Sequence, residues 1–232
     1  MKKTLTAHNH GSKIPRDLAR YIPALSERII QSRLQPLLEC IHTTCDNPMM
    51  TAFVERWHAD TSSFHLRFGE MTVTLHDISN LLHLPLLGNY PTAEEVSADR
   101  AVQLAQEYLG ASYQEACSNT IKGPYYRFGW LHELLERHTG EGGDEDIALR
   151  AYLLMLLSYS IFTTKTSNRA EAKWLLLLRD LERTGSWAWG VGALVNLYTE
   201  LSFSSLRDSR HLSGFPGLLQ VQFFDTWLLF FF

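Results

Sequence analysis

The sequence predicts a mainly α-helical protein, a single helical bundle with one short β-hairpin at about residues 64–75. Two observations predict this fold class. Apolar residues recur at helical spacing over most of the chain from residue 26 onward. In contrast, the stretch from Phe64 to Leu75 alternates apolar and polar residues on both sides of a Gly-Glu break, which is typical of a hairpin. Short connections between the helical segments favour antiparallel neighbours.

The first helix is expected to begin near Ser26 as its N-cap, with Pro36 bending or interrupting it. Asn47-Pro48 then combines an N-cap with proline at the first helical position. The hairpin follows, and Asp77 is expected to cap a short helix that ends at Leu84-Pro85. Residues 1–25 are polar, basic and irregular, so we predict a flexible N-terminal segment followed by one domain, 26–232.

The second half of the chain is predicted from caps and apolar stripes. We expect a helix that the capping box Thr92–Glu95 opens and Gly110 stops, then a loop with aromatic anchors over 110–127 and a short helix around Trp130. An apolar helix over about 147–162 follows, capped by Asp144 or Asp146. The last two elements are an amphipathic helix over 168–183, with Gly185 as its C-cap, and a helix over 187–203. The helix over 147–162 is apolar nearly all round, which places it at the centre of the bundle. Gly190 and Gly192 are expected to allow close backbone approach in the last helix.

Composition narrows the function classes. The 232 residues are 45% hydrophobic and 12% aromatic, enough for a substantial core. A net charge of −4 argues against a protein that binds nucleic acid over its whole surface. Three cysteines suit a reducing compartment, no signal peptide is visible, and the longest apolar run is shorter than the roughly 20 residues of a membrane span. We therefore expect a soluble intracellular protein that does not contact a membrane.

Two separated blocks carry a family resemblance. The first contains Ala52-Phe53-Val54-Glu55-Arg56-Trp57, Ser63-Phe64-His65-Leu66, Gly69-Glu70, Thr72-Val73-Thr74-Leu75, Asp77 and Leu84-Pro85-Leu86-Leu87-Gly88. The second runs from Arg150 to Tyr198 and contains Ser167-Asn168, Trp174-Leu175, Leu178-Arg179-Asp180-Leu181, Trp189-Gly190, Ala193-Leu194 and Leu197-Tyr198. In this order, over roughly residues 26–205, the blocks resemble the plant mobile domain family, also called aminotransferase-like, which includes MAIN-like proteins and a transposon-encoded domain. The signature positions, to which the resemblance assigns structural roles, are Trp57, Phe64, Gly69, Glu70, Thr72, Leu75, Asp77, Pro85, Gly88, Trp174, Asp180, Trp189 and Gly190.

The resemblance implies a non-enzymatic nuclear interaction module linked to gene expression, transposon silencing and meristem maintenance. It implies a protein partner, which the family suggests is phosphatase-like, with no cofactor and no small-molecule substrate. The alternative is a transposon-encoded accessory protein that contacts nucleic acid through its basic N-terminus. Residues 1–33 support that alternative with seven cationic side chains, namely Lys2, Lys3, Lys13, Arg16, Arg20, Arg28 and Arg33.

The chain departs from the family pattern at four places, one of which is the stretch from Ser158 to Lys165, where the family often shows Gly-Gly and Phe-Pro-Asp. Arg67 stands where the family usually has proline, and His83 stands where it usually has glycine. After about residue 205 the sequence ends in FFDTWLLFFF, so we expect a truncated or altered C-terminus.

No reactive centre is assigned from the sequence. Asp60-Thr61-Ser62 lacks the glycine that an aspartic protease needs, and the phosphatase motifs do not occur. None of the six lysines lies in a pyridoxal-phosphate motif. Two clusters were weighed as metal sites and assigned to packing or surface instead: Cys40, His42, Cys45 and Cys117, and the histidines His58, His65, His76 and His83. Glu70 is left open between stabilising the hairpin turn and contacting a partner.

Overall fold

The computed structural model describes residues 6–7, 23–40, 46–163, 168–206 and 211–219 of the chain. Within these ranges the protein is mainly α-helical, as the sequence predicts. The α-helices are α1 (Pro23–Gln31), α2 (Leu37–Cys40), α3 (Asn47–Val54), α4 (Leu75–Leu82), α5 (Ala98–Leu109), α6 (Tyr113–Asn119), α7 (Phe128–His138), α8 (Glu145–Tyr159) and α9 (Trp189–Ser205). Two 3₁₀ helices, Ala172–Leu178 and Thr184–Ser186, lie between α8 and α9.

Helix α8 is the central element of the core. Every residue from Ala151 to Tyr159 is buried, and α1, α5, α7 and the first 3₁₀ helix all pack against it. A helix with apolar side chains on every face is stable only when other elements bury all of those faces. Its central position therefore confirms the prediction made from its sequence, and the Asp144 carboxylate caps it by accepting from Asp146 N at 2.9 Å.

The strands differ from the prediction of a single hairpin. The described residues form eight short strands: β1 (Thr6–Ala7), β2 (Trp57–His58), β3 (Ser63–Leu66), β4 (Gly69–Met71), β5 (Thr120–Ile121), β6 (Tyr125–Arg127), β7 (Arg169–Glu171) and β8 (His211–Leu212). The β3–β4 hairpin exists, but β2 adds to it and completes a three-stranded antiparallel sheet. A second such sheet joins β5, β6 and β7, and β1 pairs in parallel with β8.

The hairpin is also shorter than predicted. Strand β4 ends at Met71, and Leu75 begins α4 instead of ending a strand. Thr74 caps α4: its hydroxyl accepts from Asp77 N at 3.3 Å, while the Asp77 carboxylate accepts from Thr74 N at 2.7 Å. Asp77 is therefore the N3 residue of α4, which completes a capping box, and the N-cap is Thr74, whose hydroxyl lies three residues earlier.

Other boundaries shift for similar reasons. The helix expected from Thr92 begins at Ala98, where the Ser97 hydroxyl caps it, and it ends as predicted at Gly110 with φ 63°. Asp46, not Asn47, is the N-cap of α3. The expected loop 110–127 contains α6, β5 and β6.

The region predicted as an amphipathic helix over 168–183 takes a different form. It divides into β7 and a 3₁₀ helix, and Gly185 lies in the second 3₁₀ turn instead of capping a helix. Pairing with β6 explains the change, because Tyr126 aligns with Ala170 across the sheet and holds the backbone extended.

Candidate interaction site

The indole of Trp189 ties the N-terminal helices to the start of α9. Trp189 is fully buried, and its Nε1–H donates to Ser32 O at 3.2 Å and to Thr184 O at 3.0 Å. Gly185 supports the same contact, since a Cβ there would lie 2.3 Å from Gln31 O. The turn after α1 is therefore fixed in place by residues near the second signature block.

Gly190 holds the end of the first signature block, around Pro85, against the start of α9. Its backbone N–H donates to Pro85 O at 2.9 Å. A Cβ at Gly190 would stand 2.7 Å from Leu86 Cδ2 and 2.9 Å from Ile78 Cγ2, so only glycine lets α9 approach this closely. The prediction of close backbone approach at Gly190 is confirmed.

Gly88 and Asn89 extend this seam. Gly88 has φ 137°, and a Cβ there would lie 2.2 Å from Ser186 O. Next to it, Asn89 N–H donates to Ser186 O at 2.9 Å and Ala188 N–H donates to Asn89 O at 2.8 Å. Four signature positions (Pro85, Gly88, Trp189 and Gly190) thus meet in one place, which we call the signature junction.

A groove of about 390 Å³ opens beside the signature junction. One wall is the end of α1 and the following turn, and the other is the end of α4 with Leu84 and Pro85. The groove is lined by Ile30, Arg33, Gln35, Pro36, Ser79, His83, Leu84 and Pro85. We call it the junction groove.

The two basic residues of the junction groove both have left-handed backbone conformations. Arg33 has φ 59° and His83 has φ 50°. Such values are uncommon outside glycine and cost free energy, so the surrounding hydrogen bonds must hold them. No carboxylate is found among the described residues that line the groove, and Ile30 adds an apolar side chain that is 53% exposed.

Two further signature aromatics, Trp57 and Phe64, pack together between the first sheet and α9. Trp57 lies edge-on to Phe64 at a centroid distance of 4.9 Å and beside Tyr198 at 5.1 Å, and its Nε1–H donates to Ser202 Oγ at 3.1 Å. Thr72 and Tyr198 join hydroxyls at 2.8 Å, and Tyr198 Oη is also 2.6 Å from Val73 O. These positions therefore have packing roles.

Glu70 lies in a polar cluster on the outer face of the first sheet. Ser63 Oγ donates to Glu70 Oε2 at 3.1 Å, and His65 Nε2 lies 3.5 Å from Glu70 Oε1. The His58 and His65 rings stack with centroids 3.7 Å apart. This is not a nucleophilic triad, because the serine hydroxyl is directed to the carboxylate and not to the imidazole.

The last signature positions lie apart from the junction. Trp174 stacks on Phe162 at 3.8 Å, and Asp180 pairs with Arg183 at 3.4 Å on the surface. Gly69 has φ 138°, which is the conformation that the turn between β3 and β4 requires, and nothing lies within 4 Å of a Cβ placed there. Leu75, the first residue of α4, is 39% exposed.

A second groove of about 650 Å³ is lined by residues of β5, β6, α7 and α8 and shares none with the junction groove. Its floor includes Phe128, stacked on Tyr159 at 4.1 Å, and its rim carries Arg127, His132 and Glu133. Burial raises the pKa of Tyr159, which keeps its hydroxyl protonated at neutral pH. This groove contains no signature position.

The structure describes only part of the two clusters that the sequence analysis weighed as metal sites. Within the described ranges, no group of three or more His, Cys, Asp or Glu side chains could hold a metal ion. His42 and Cys45 lie outside those ranges, and Cys117 is exposed. His76 contacts Asn80 at 2.9 Å, away from the His58–His65 stack. Among the described helices, none has the length and apolar character required to cross a membrane.

Lys173 forms ion pairs with two glutamates, and its side chain is 16% exposed. Its Nζ lies 2.9 Å from Glu95 and 3.3 Å from Glu171. Burial acts to lower the pKa of Lys173, but the hydrogen bond to Glu95 and the Glu171 charge outweigh it, so the pKa is raised. A lysine held protonated in this way is a poor amine nucleophile.

Comparison with known proteins identifies the family. The model of the plant mobile domain matches residues 36–227. This chain belongs to the plant mobile domain family. The match includes both signature blocks and the junction that they form, which confirms the resemblance seen in the sequence.

Curated relatives come from Arabidopsis thaliana. Protein MAIN-LIKE 2 is 33% identical over 218 residues, 93% of this chain and 32% of the relative. Protein MAINTENANCE OF MERISTEMS is 29% identical over 75% of this chain and 36% of its own length. A serine/threonine-protein phosphatase 7 long form homolog is 28% identical over 86% of this chain and 15% of its own length.

The chain therefore spans about a third of the length of the MAIN-type relatives that it matches. No solved structure matches it.

Several residues of the site could not be selected from sequence. Ser32, Thr184 and Ser186 contribute backbone carbonyls, which any residue type carries, and Arg33 lies in a region with no distinctive motif. One signal was available: the family's glycine at position 83 indicates a left-handed C-cap, and His83 adopts that conformation.

Proposed function

We propose that this plant mobile domain is a non-enzymatic module that binds another protein in the nucleus. The observation that supports it best is the rigid junction groove, because its two walls are both held by the Trp189-Gly190 dipeptide of the family signature. Signature positions that serve packing and frame an open surface fit recognition better than chemistry.

The relatives give the proposal its biological direction. One relative is named for the maintenance of meristems, and another is named as a serine/threonine-protein phosphatase homolog. We propose that this chain takes part in gene expression, transposon silencing and meristem maintenance, with a phosphatase-like family member as its partner.

Purification from plant nuclei tests this function. A tagged chain, expressed in plant cells and shown to be folded by its elution as a discrete species, is expected to localise to nuclei and to recover a phosphatase-like protein. A folded chain that stays outside nuclei, or that recovers no specific protein from them, would contradict the proposal.

The second candidate is a transposon-encoded accessory protein that binds nucleic acid through its N-terminus. The observation that favours it is the excess of Lys and Arg in residues 1–33. Phosphate contacts release counterions, so binding to duplex DNA should fall steeply as salt rises. Replacing Lys2, Lys3 and Lys13 by Gln should reduce that salt dependence, and salt-independent or undetectable binding would remove this candidate.

A further inference from the structure

We infer that the junction groove binds an acidic peptide segment that also carries an apolar residue. This inference rests on the proposed interaction function and adds the chemistry of the partner. It depends on three properties of the groove, which are its charge, its apolar lining and its rigidity.

The charge of the groove selects an anionic ligand. The Arg33 guanidinium lies on one wall, the His83 imidazole offers a hydrogen-bond donor from the other, and the described lining holds no carboxylate. An Arg guanidinium presents a planar set of donors that matches a carboxylate in two parallel hydrogen bonds. An Asp or Glu side chain of a partner is the group that this arrangement best accommodates.

The apolar lining favours a peptide over a nucleic acid. Ile30, Pro36 and Pro85 supply aliphatic surface above the buried Leu84, and the described lining has no stacking aromatic ring. Nucleic-acid sites combine basic grooves with aromatic platforms for the bases, which this groove lacks among its described residues. The net charge of −4 also disfavours a long polyanion. The volume of about 390 Å³ is suited to a few side chains of an extended segment.

The groove is rigid because its walls are fixed independently of any ligand. On one wall, Ser32 Oγ donates to Ile29 O at 2.6 Å and Leu34 N–H donates to Ser32 Oγ at 3.3 Å. On the other, His83 N–H donates to Ser79 O at 3.1 Å as the helix ends. These hydrogen bonds maintain the two left-handed residues without a ligand, and a preorganised site of this kind loses little entropy on binding.

A peptide-display selection against the full chain is the first test. Random peptides are displayed on phage and selected on the immobilised chain. Peptides enriched in Asp and Glu next to a Leu, Ile, Val or Pro are expected. Selection of peptides without acidic enrichment would overturn the inference.

Variants of the groove then locate the binding. A fluorescein-labelled selected peptide is titrated by anisotropy; Arg33→Glu should weaken it about tenfold or more and Arg33→Gln by less, because the charge is first reversed and then only removed. Arg127→Glu, which makes the same charge change at the second groove, should stay within about twofold. Equal affinity for the wild-type and Arg33→Glu chains would overturn the inference.

Other occupants are separated in the same experiments. Competition of the labelled peptide by duplex DNA, lost in Arg33→Glu, would assign the groove to nucleic acid and overturn the inference. A dimer that Arg33→Glu dissociates in sedimentation velocity, with no peptide selected, would assign it to a second copy of the chain and also overturn it.

The failure of this inference differs from failure of the proposed function. If the wild-type chain recovers no partner from nuclei, the interaction function fails. If wild-type and Arg33→Glu chains recover the same partner in equal amounts, the function stands and the acidic-segment inference fails.

Discussion

His83 shows how one residue records a departure from its family. It follows α4 with φ 50°, a conformation in which a side chain costs about 1 kcal/mol and glycine costs little. His83→Gly should therefore raise the free energy of unfolding by about 0.5–1 kcal/mol. Urea denaturation of both chains measures this difference.

The control for that change is Asn80→Gly, which places the same residue inside α4. There glycine should lower the free energy of unfolding by about 1 kcal/mol, because the helix interior restricts it most. Destabilisation by both variants to the same extent would contradict the role assigned to the left-handed cap.

Glu115 gives stability a dependence on pH. Trp130 Nε1–H donates to its carboxylate at 3.0 Å, and Arg137 lies 3.0 Å away. The Trp130 hydrogen bond, joined by Arg137, lowers the pKa of Glu115 from its ordinary 4.5, although burial opposes this. A depressed folded-state pKa contributes stability above the unfolded pKa and loses it as pH falls through the folded value.

Glu115→Gln should therefore lower the free energy of unfolding by about 1 kcal/mol at neutral pH, a modest value because the site is partly exposed. The difference from wild type should shrink as pH falls below 4.5, the ordinary value for this group. Denaturant titrations over this pH range measure it, and a difference that is constant down to acid denaturation would contradict the assignment.

At the scale of elements, the contact between α9 and the end of α4 depends on a missing side chain. Gly190→Ala would place a methyl group 2.7 Å from Leu86 Cδ2 and should cost about 1–3 kcal/mol in stability. The matched control is Gly129→Ala in α7, where nothing lies within 4 Å of the new Cβ. That change should be neutral or stabilising by up to about 1 kcal/mol. Thermal unfolding of both variants measures the contrast, which should be absent if α9 does not pack here.

The indole of Trp189 allows a second test at this scale. Trp189→Phe keeps an aromatic ring but leaves Ser32 O and Thr184 O without their donor. The variant should lose about 2 kcal/mol of stability. It should also become more susceptible to proteolysis near residue 33, which mass spectrometry of the cleavage products would detect. Unchanged stability and cleavage would show that the indole does not fix this turn.

Elements differed in how well the sequence predicted them. Helix α8 was located because its apolar run is long and its cap, Asp144, directly precedes it. The second sheet was missed because β5, β6 and β7 have two or three residues each, too few for a period-2 pattern. The 3₁₀ helix over 172–178 was taken for part of an α-helix because Leu175 and Leu178 are buried at a spacing that both helix types share.

At the scale of the whole molecule, stability is concentrated around α8. Leu153 is completely buried within it, whereas Leu87 is 87% exposed. Leu153→Ala should cost about 2–5 kcal/mol, while Leu87→Ala should change stability by less than about 0.5 kcal/mol. Denaturant unfolding of the two variants compares identical side-chain truncations, and similar losses would contradict the central placement of α8.

The candidate site was predictable only in part. The signature residues Pro85, Gly88, Trp189 and Gly190 were identified from sequence as positions that matter to the fold. Their meeting point was not, because about a hundred residues separate Gly88 from Trp189 and backbone carbonyls complete the contacts. The junction groove follows from that long-range pairing, so the meeting of Arg33 and His83 in one groove became visible only in three dimensions.

The seam between Gly88-Asn89 and Ser186–Ala188 has an evolutionary consequence. Each block supplies the hydrogen-bond partners of the other, so a gene copy that retains one of them encodes a chain with an unfinished interior. We expect recombination to preserve the two as a unit or to discard both. Half-copies in plant genomes should then accumulate stop codons and frameshifts faster than complete ones.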